Sequence, residues 1–285
     1  NNWKKSKNDV SKIVKNFYEI TPFPNYESIE SKYDLILKAE KSFYAKILNE
    51  QIPFNTKVLE VGCGTGQLAN YLGIATRYVF GVDMCLNSLK LAENFRKKNN
   101  INNTSFIQMN LFKPVFKKES FDLIICQGVL HHTSNPYLGF QKISQLVKKN
   151  GYIIIGLYNK YGRILTDIRR SIFKFTGDNF KFIDPRLREI DRGKLKRKSW
   201  FNDQYKHPHE TKHTIGEVIK WLELNNFDFI NAIPKATPLN SLTKNEKLFK
   251  KNKKGNMIDH FIVQMFSIFN GYKEGGLFLI IGKKR

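Results

Sequence analysis

The residues of this chain best placed to bind a ligand form a glycine-rich loop after a short apolar run. A buried strand is predicted by Val58, Leu59 and Val61, and the loop from Gly62 to Gly66 separates it from helix-compatible residues that resume at Gln67. Alternate glycines let the backbone turn sharply and let a ligand approach main-chain N–H groups at a helix start. The loop therefore predicts a site where the backbone itself contacts a ligand.

The spacing of the glycines narrows the kind of ligand. The third glycine comes one residue earlier than in the dinucleotide fingerprint, with Gln67 in the later position, and no Gly-Lys-Ser/Thr follows as in a phosphate-binding Walker loop. A second apolar run, Tyr78 to Val82, ends in Asp83, where a carboxylate at a strand end accepts both hydroxyls of a ribose. A nucleoside-containing ligand without a pyrophosphate fits this pattern best.

An ordered set of motifs resembles the class I S-adenosylmethionine (SAM) dependent methyltransferases. The motifs are ExGCGTGxL at 60–68, GVDM at 81–84 and VLHH at 129–132, and the matching region runs from about 57 to 158. The resemblance implies SAM as the cofactor, with S-adenosylhomocysteine as its product. It also implies that VLHH follows the fourth strand, as in many methyltransferases of small molecules.

The same resemblance assigns roles to individual residues. Glu60 reaches toward the methionine amino group, Asp83 holds the ribose hydroxyls, and Met84 lies against the adenine. Where the family usually has an Asp that accepts from the adenine amino group, this chain has Asn110, which accepts through its carbonyl oxygen without the charge. The implied cofactor-binding residues are Glu60, Gly62, Cys63, Gly64, Gly66, Asp83, Met84, Asn110, Leu111 and Gln127.

The residues that would bind the methyl acceptor are less clearly marked in the sequence than those that would bind the cofactor. His131 follows the fourth strand, beside the expected position of the methyl group. Its side chain either takes part in catalysis or has a structural role, as part of the pocket wall or of the start of the next helix. Tyr158 ends the fifth strand, and a polar cluster extends from Tyr205 to His213. This cluster either closes over the acceptor or caps the following helix. The catalytic candidates are His131, Tyr158, His207 and His209, and Gln127 is also a candidate for the acceptor site.

The polar cluster contains the letters of a zinc motif. His209, Glu210 and His213 spell H-E-x-x-H, which binds zinc when both histidines lie on one face in mid-helix. Pro208 precedes the match, and the amphipathic helix begins only after it. We expect an accidental match and no metal site.

The elements that position these residues alternate strand and helix, which predicts an α/β fold with a doubly wound, mostly parallel, seven-stranded sheet. Its ligands would bind at the carboxyl ends of the strands. By resemblance, the last strand lies antiparallel between the fifth and sixth. The strands are predicted at Lys57–Val61, Tyr78–Asp83, Ser105–Met109, Phe121–Cys126, Tyr152–Tyr158, Phe227–Ala232 and Gly276–Ile281, with intervening helices from Gln67, at Asn87–Lys98, at Pro136–Val147 and at Ile215–Leu224.

The α/β unit spans 51–285, and it carries two additions, one before it and one inserted within it. Residues 1–50 predict a helical cap, with an amphipathic helix at Val10–Tyr18 and another at Glu27–Asn49. Between these helices a Pro-rich turn carries Phe23 and Tyr26, which either cover the cofactor or pack onto the core.

The second addition, 160–212, is longer than an ordinary connection and predicts a lid over the acceptor. A helix within it is indicated by Ile164, Leu165, Ile168 and Ile172, and its candidates for enclosing the acceptor are Trp200, Phe201, Tyr205, His207 and His209. A later apolar stripe, expected to be core, consists of Ile258, Phe261, Ile262, Met265, Phe266 and Phe269.

The net charge of +23 raises the question of whether the chain binds nucleic acid. Two basic runs carry Arg186, Arg188, Arg192, Lys194, Lys196, Arg197 and Lys198, and Lys244, Lys247, Lys250, Lys251, Lys253 and Lys254. Apart from Phe249, these runs lack the aromatic residues that stack on bases, and lysine is frequent throughout the chain. A solvated basic surface is favoured over nucleic-acid binding.

Composition places the chain among reduced, intracellular proteins. The odd count of three cysteines, Cys63, Cys85 and Cys126, predicts free thiols, since it forms no disulfide framework. No apolar run approaches the ~18 residues of a membrane span, and the first residues lack the apolar region of a signal peptide. A cytoplasmic protein is expected.

These observations predict a SAM-dependent methyltransferase that transfers a methyl group to a small molecule by direct in-line displacement. Marks of base-modifying enzymes are missing, because no Asp/Asn-Pro-Pro-aromatic motif follows the fourth strand. Two alternatives stay open: an RNA methyltransferase that uses the basic surface, and a SAM-binding regulator without chemistry. Transfer to metabolites, salt-dependent RNA binding and SAM binding without turnover distinguish the three.

Overall fold

The computed structural model describes residues 7–185, 187, 194–238, 240, 242–243, 245–270 and 275–285. Parts of the two basic runs, namely Arg186, Arg188, Arg192 and Lys244, lie outside the described residues.

Among the described residues, a seven-stranded sheet forms the centre of the fold, in the order β3-β2-β1-β4-β5-β7-β6. All neighbouring pairs are parallel except those of β7, which runs antiparallel between β5 and β6. The strands are β1 Lys57–Val61, β2 Tyr78–Asp83, β3 Thr104–Gln108, β4 Phe121–Gln127, β5 Val147–Tyr158, β6 Phe227–Ile233 and β7 Leu277–Lys284. The predicted fold class and the placement of the last strand are confirmed.

Helices cover both faces of this sheet. Short 3-10 helices follow β4 at Leu130–His132 and lie in the insertion at Gly177–Ile183. The α-helices are α1 Lys7–Ile20, α2 Lys32–Lys41, α3 Phe43–Gln51, α4 Gln67–Ile74, α5 Leu86–Lys98, α6 Pro136–Ser144, α7 Ile164–Thr176, α8 Lys194–Tyr205, α9 Ile215–Leu224 and α10 Met257–Asn270.

Two predicted boundaries are wrong for local reasons. The single helix expected over Glu27–Asn49 is two helices, because Ser42 is extended and caps α3 by accepting a hydrogen bond from the Ala45 N–H. The helix expected to reach Val147 ends at Ser144, and β5 begins at Val147. Asn150 precedes the strand predicted from Tyr152, but it lies within β5 with a left-handed φ of 63°.

Alternating side chains of the strands build a core on each face of the sheet. Leu59 of β1 joins Phe140 and Val218 of α6 and α9 on one face. Its neighbour Val58 joins Leu48 and Leu72 of α3 and α4 on the other. This two-sided burial fixes the strand ends, and therefore the ligand side of the sheet.

The insertion after β5 has a small apolar core of its own. Phe173 of α7 packs against Phe201 and Tyr205 of α8, with Trp200 at the edge of this cluster. The pattern that predicted a lid of aromatic side chains therefore reflects packing of α8 on α7.

The apolar stripe of α10, expected to be core, faces outward. Its buried side chains are His260, Val263 and Gln264, whereas Phe261, Phe266 and most of its other large apolar side chains are exposed. None of the helices in the described ranges has the length and apolar character needed to cross a membrane.

Candidate functional site

A cavity of about 450 Å³ lies at the carboxyl ends of β1, β2, β4 and β5. The glycine loop after β1 forms one wall, and α1, the turn after it and the last turn of α8 form the opposite side. This is the side of the sheet where the alternating topology predicts a ligand.

The glycine loop holds two positions that only glycine fits. Gly62 and Gly64 have φ of 70° and 53°, in the left-handed region. A Cβ on Gly62 would lie 2.2 Å from Val129 Cγ2, and a Cβ on Gly64 would lie 2.2 Å from the Phe23 carbonyl oxygen. The loop is thus held between the segment after β4 and the Pro-rich turn.

The third glycine of the loop, Gly66, has a role in packing. Gly66 precedes α4 with a φ of 71°, and a Cβ there would lie 2.5 Å from the Phe106 ring. It does not line the cavity. Contact between Gly66 and the cofactor stays a prediction, and in this structure the glycine allows α4 to pack close to β3.

Asp83 ends β2 inside the cavity, held by the backbone. Its two carboxylate oxygens accept hydrogen bonds from the N–H groups of Gly64, at 2.9 Å, and Cys85, at 2.8 Å. Burial raises the pKa of this carboxyl. A carboxylate has about four acceptor sites, so two remain for the hydroxyls of a ribose.

Glu60 is half-buried in β1, and one of its carboxylate oxygens, Oε2, is buried without a hydrogen-bond partner. Burial raises the pKa of Glu60 to about 8. An uncompensated carboxylate at a cavity wall fits a ligand that brings a cationic donor. The amino group of SAM is such a donor, so Glu60 and Asp83 together fit the cofactor that the motifs imply.

The remaining predicted cofactor residues also line the cavity. They are Gly62, Cys63, Gly64, Met84, Asn110, Leu111 and Gln127. Asn110 Oδ1 accepts a hydrogen bond from the Phe112 N–H at 2.9 Å, which orients its amide. Gln127 Nε2 donates to the Tyr44 hydroxyl, so its carbonyl oxygen is the group left for a ligand. Phe23 reaches the cavity, whereas Tyr26 stacks on Phe95 in the core.

A buried carboxylate of α8 faces the same cavity. Asp203 accepts a hydrogen bond from the Tyr18 hydroxyl at 2.7 Å and another from Gln204 Nε2 at 3.0 Å. Gln204 Nε2 also donates to the Tyr158 hydroxyl at 2.8 Å. Burial raises the pKa of Asp203. The predicted Tyr158 lines the cavity together with three side chains that were not predicted, Tyr18, Asp203 and Gln204.

His131 lies behind the cavity wall with both ring nitrogens engaged. Its Nδ1 accepts from the Tyr158 N–H at 3.3 Å, which leaves its Nε2–H to donate to His132 Nε2 at 3.1 Å. His132 Nδ1 then donates to the His209 carbonyl at 2.9 Å. Burial lowers the pKa of both rings, so both are neutral. The structure places His132, and not the predicted His131, at the cavity surface.

His207 and His209 also lie outside the cavity lining. The His207 ring stacks on His132 at 3.6 Å between centroids, and burial lowers its pKa to about 4. His209 Nε2 lies 3.1 Å from the Thr133 carbonyl. The structure brings both beside the cavity wall as supports, contrary to the predicted catalytic contact. Likewise Trp200, Phe201 and Tyr205 do not line the cavity.

The letters H-E-x-x-H belong to a buried ion-pair cluster. Glu210 receives two hydrogen bonds from Arg163, at 3.0 and 2.6 Å, and one from Arg170 at 2.8 Å. These charges lower the pKa of Glu210 to about 2. The Arg163 guanidinium lies 3.7 Å over the Tyr158 ring. His209 to His213 precede α9 in extended structure, not in a helix.

The family comparison decides what this site belongs to. A family model described as a methyltransferase domain matches residues 54–204, more than half of the chain. The chain belongs to the methyltransferase family. The predicted family and enzyme class are confirmed.

Curated relatives of this methyltransferase are distant. A ubiquinone biosynthesis O-methyltransferase of Glaesserella parasuis is 30% identical over 114 residues, which cover 38% of this chain and 47% of that protein. An uncharacterized protein of Synechococcus is 25% identical over 203 residues, which cover 61% of this chain and 48% of that protein. The chain spans about half the length of the curated relatives it matches.

Solved structures share the fold. A SAM-dependent methyltransferase from Methanosarcina mazei matches with a TM-score of 0.52 at 17% identity, covering 84% of this chain and 96% of its own. PKMT2 from Rickettsia typhi in complex with AdoHcy matches with a TM-score of 0.58 at 16% identity, covering 85% of this chain and 53% of its own. With the family, these structures confirm SAM as the predicted cofactor.

Sequence reasoning missed Tyr18, Asp203 and Gln204. Tyr18 was part of an amphipathic stripe, which indicates burial but not a role for its hydroxyl. Asp203 and Gln204 end a helix rich in lysine and arginine, and no motif marks them. The only available signal was a polar pair directly before the histidine cluster.

Proposed function

We propose that this methyltransferase transfers the methyl group of SAM to a hydroxyl of a small, mainly apolar molecule. The observation that carries the proposal is Asp203, a buried carboxylate that faces the same cavity as Glu60 and Asp83. Glu60 and Asp83 would hold the amino group and the ribose of the cofactor. When bound, SAM supplies an activated methyl group on a sulfonium, so the protein needs mainly to position and deprotonate the acceptor.

Asp203 is placed to accept the acceptor's proton. Burial raises its pKa, which makes the ionised carboxylate a stronger base than in water. Tyr18 donates to Oδ1 and Gln204 to Oδ2, which fixes the plane of the carboxylate. Tyr158, held by Gln204 and by the Arg163 guanidinium, would orient the rest of the acceptor. The four side chains therefore form one hydrogen-bonded wall of the cavity.

The surroundings of this wall favour a mainly apolar acceptor. Val14, Leu68, Leu111, Val129 and Leu277 line the same cavity, and α1 covers one side. Such a site encloses an apolar body and orients it with a few polar groups. The name of the Glaesserella relative, an O-methyltransferase, agrees with transfer to oxygen. We also propose that α8, and not its aromatic cluster, is the part of the 160–212 insertion that closes the acceptor site.

The test follows isotope from methyl-labelled SAM into a small-molecule extract and into total RNA. We expect the label to appear in small organic molecules. Asp203→Asn should lower the rate of methyl transfer by about 100-fold or more, which is the usual contribution of a general base. SAM affinity of this variant, measured by calorimetry, should stay within about threefold, since Asp203 lies on the acceptor side.

A matched control is Asp228→Asn, which removes an exposed carboxylate that pairs with Arg285 at the start of β6, at the opposite edge of the sheet from the cavity. It should leave both the rate and the SAM affinity unchanged. Label in RNA would instead support the RNA methyltransferase alternative. SAM binding without transfer to either pool would support a regulator.

A further inference from the structure

Two outer helices carry apolar faces that the described residues do not cover. The exposed side chains of α7 recur every three or four residues, at Ile164, Ile168, Ile172 and Phe175. Those of α10 are Met257, Ile258, Phe261, Met265, Phe266 and Phe269. Their exposed fractions range from 36% to 88%. Uncovered patches of this size mark surfaces that bind a partner or a membrane.

The two faces adjoin. The Tyr161 ring, just before α7, packs edge-on against Phe261 of α10 with 6.1 Å between centroids. A Cβ on Gly162 would lie 3.5 Å from Ser267 Cβ, so the start of α7 lies directly against α10. We call the ten exposed side chains of the two helices the α7–α10 surface.

Basic residues border this surface. Lys174 lies between Phe173 and Phe175 on α7, and Lys253 comes shortly before α10. The acidic residues of the two helices are engaged: Asp167 pairs with Lys212, and Asp259 accepts from the Asn256 N–H. Together with a net charge of +23, this makes the surroundings attractive to anions.

We propose that the α7–α10 surface docks this methyltransferase on a bilayer that carries anionic lipids. Ile, Met and Phe side chains would enter the boundary between headgroups and acyl chains, and the bordering lysines would contact the headgroups. RNA offers phosphates but no apolar phase for ten exposed apolar side chains. With 13 and 14 residues, α7 and α10 are too short to span the ~20-residue thickness of a bilayer. They lie on it.

Docking there would place the acceptor site near the lipid. Tyr158, at the end of β5, lines the cavity, and α7 begins six residues later at Ile164. Arg163, directly before α7, stacks on the Tyr158 ring. The docking surface is therefore connected to the cavity wall through a short segment in which Asn159, Gly162 and Arg163 are buried. The proposal does not depend on which acceptor the site binds.

Vesicle flotation tests the proposal. Wild-type protein should float with phosphatidylcholine vesicles that contain phosphatidylglycerol, and much less with phosphatidylcholine alone. We expect two paired variants, I168Q with F175S and F266S with F269S, to lose about tenfold or more of this partitioning, because each removes two interfacial side chains. Both pairs should keep the SAM affinity of the wild type, which shows that they fold.

The matched control replaces exposed apolar residues outside the two helices. Leu37 and Phe54 are 62% and 70% exposed, and L37Q with F54S should leave flotation unchanged. Equal flotation of the wild type and both test pairs would overturn the proposal. So would a dimer, measured by light scattering, that dissociates in the test pairs while the wild type fails to float, because a second copy would then cover the surface. RNA binding that only the test pairs lose would also overturn it.

Discussion

Three carboxyl groups face one cavity, and each has different hydrogen-bond partners, which separates their roles. Asp83 is held by two backbone N–H groups, Asp203 by Tyr18 and Gln204, and Glu60 has an oxygen without a partner. Burial raises the pKa of each. Each additional negative charge is costly in such a site, so a cationic ligand is favoured over an anionic one. SAM, with its sulfonium and amino group, fits this balance.

Glu60 predicts a proton release on cofactor binding. Because its pKa is raised to about 8, the free protein carries a proton on Glu60 at neutral pH. A bound amino cation favours the ionised carboxylate, so SAM binding near pH 6.5 should release up to about one proton. Calorimetry in buffers of different ionisation enthalpy measures this release. Glu60→Gln should abolish it and weaken SAM binding by about 1.5 to 3 kcal/mol.

The direction of the pKa shift of Glu60 also determines how the stability of the protein changes with pH. Since the folded pKa of Glu60 lies above its ordinary value of 4.5, burial of this group costs nothing below that pH, and the cost grows as pH rises toward about 8. The stability of the cofactor-free protein should therefore fall more over this range in the wild type than in Glu60→Gln. A proton release that persists in the variant would assign the titration to another group.

Gly64 predicts a link between the cofactor loop and the Pro-rich turn. Gly64→Ala puts a Cβ 2.2 Å from the Phe23 carbonyl oxygen at a left-handed φ of 53°. Left-handed backbone alone costs an alanine about 1 to 2 kcal/mol. We expect a larger loss of unfolding free energy here, because the turn must also move, together with weaker SAM binding.

A substitution at Gly177 separates backbone strain from the clash with the Pro-rich turn. This glycine has a φ of 65° and a ψ of −156°, a backbone region that is almost restricted to glycine, and a Cβ there would meet nothing within 4 Å. Gly177→Ala therefore carries backbone strain without a clash and should leave SAM binding unchanged. Denaturant unfolding and SAM titration of both variants make the comparison. Unchanged SAM binding in Gly64→Ala would show that the Pro-rich turn does not hold the loop.

At the scale of elements, the insertion after β5 shows the limit of sequence patterns. Aromatic residues of α8 predict a lid, but Phe201 and Tyr205 pack on Phe173 of α7. An amphipathic pattern indicates that one helix face is covered, and it does not distinguish a ligand from a neighbouring helix. The same limit applies to α10, whose apolar face is exposed although its pattern resembles that of a core helix.

The Arg163–Glu210 pair predicts that a buried ionic contact holds the two ends of the insertion together. Both side chains are almost fully buried, and Arg163 also donates to Gln204 and to the Gly275 carbonyl. Removing one member of such a pair leaves an uncompensated charge. Glu210→Ala should therefore lower the unfolding free energy by about 3 to 5 kcal/mol.

An exposed pair provides the control. Glu223 pairs with Lys254 at the surface, where both side chains are about half exposed, and Glu223→Ala should cost no more than about 1 kcal/mol. The pKa of Glu210 is lowered to about 2, so its contribution is complete above its ordinary value of 4.5 and declines as pH falls toward about 2. The difference in stability between wild type and Glu210→Ala should shrink over that range. A constant difference would mean that packing, and not the charge, accounts for the loss.

At the scale of the whole molecule, the cofactor half of the site was predictable and the acceptor half was not. Glu60, Gly62 and Gly64 lie close together in the sequence, and Asp83 ends the next strand. The alternation of strands and helices alone therefore brings these residues together. The acceptor wall joins Tyr18 to Asp203 across 185 residues of chain. No local pattern records such a meeting, because it depends on how α1 and the insertion pack over the sheet.

The net charge of +23 leads to the last prediction, which concerns RNA. Lysines and arginines spread over the whole surface attract phosphates without forming a base-reading site. Any RNA complex should therefore be weak, indifferent to sequence, and lost steeply with salt. Each phosphate contact adds about 0.7 to 0.9 to the slope of log affinity against log salt. Gel-shift titrations of two unrelated RNAs between low and physiological salt measure both properties. A tight complex with one RNA that survives physiological salt would mean that the cavity serves a nucleic-acid acceptor, and the basic surface would then be part of the substrate site.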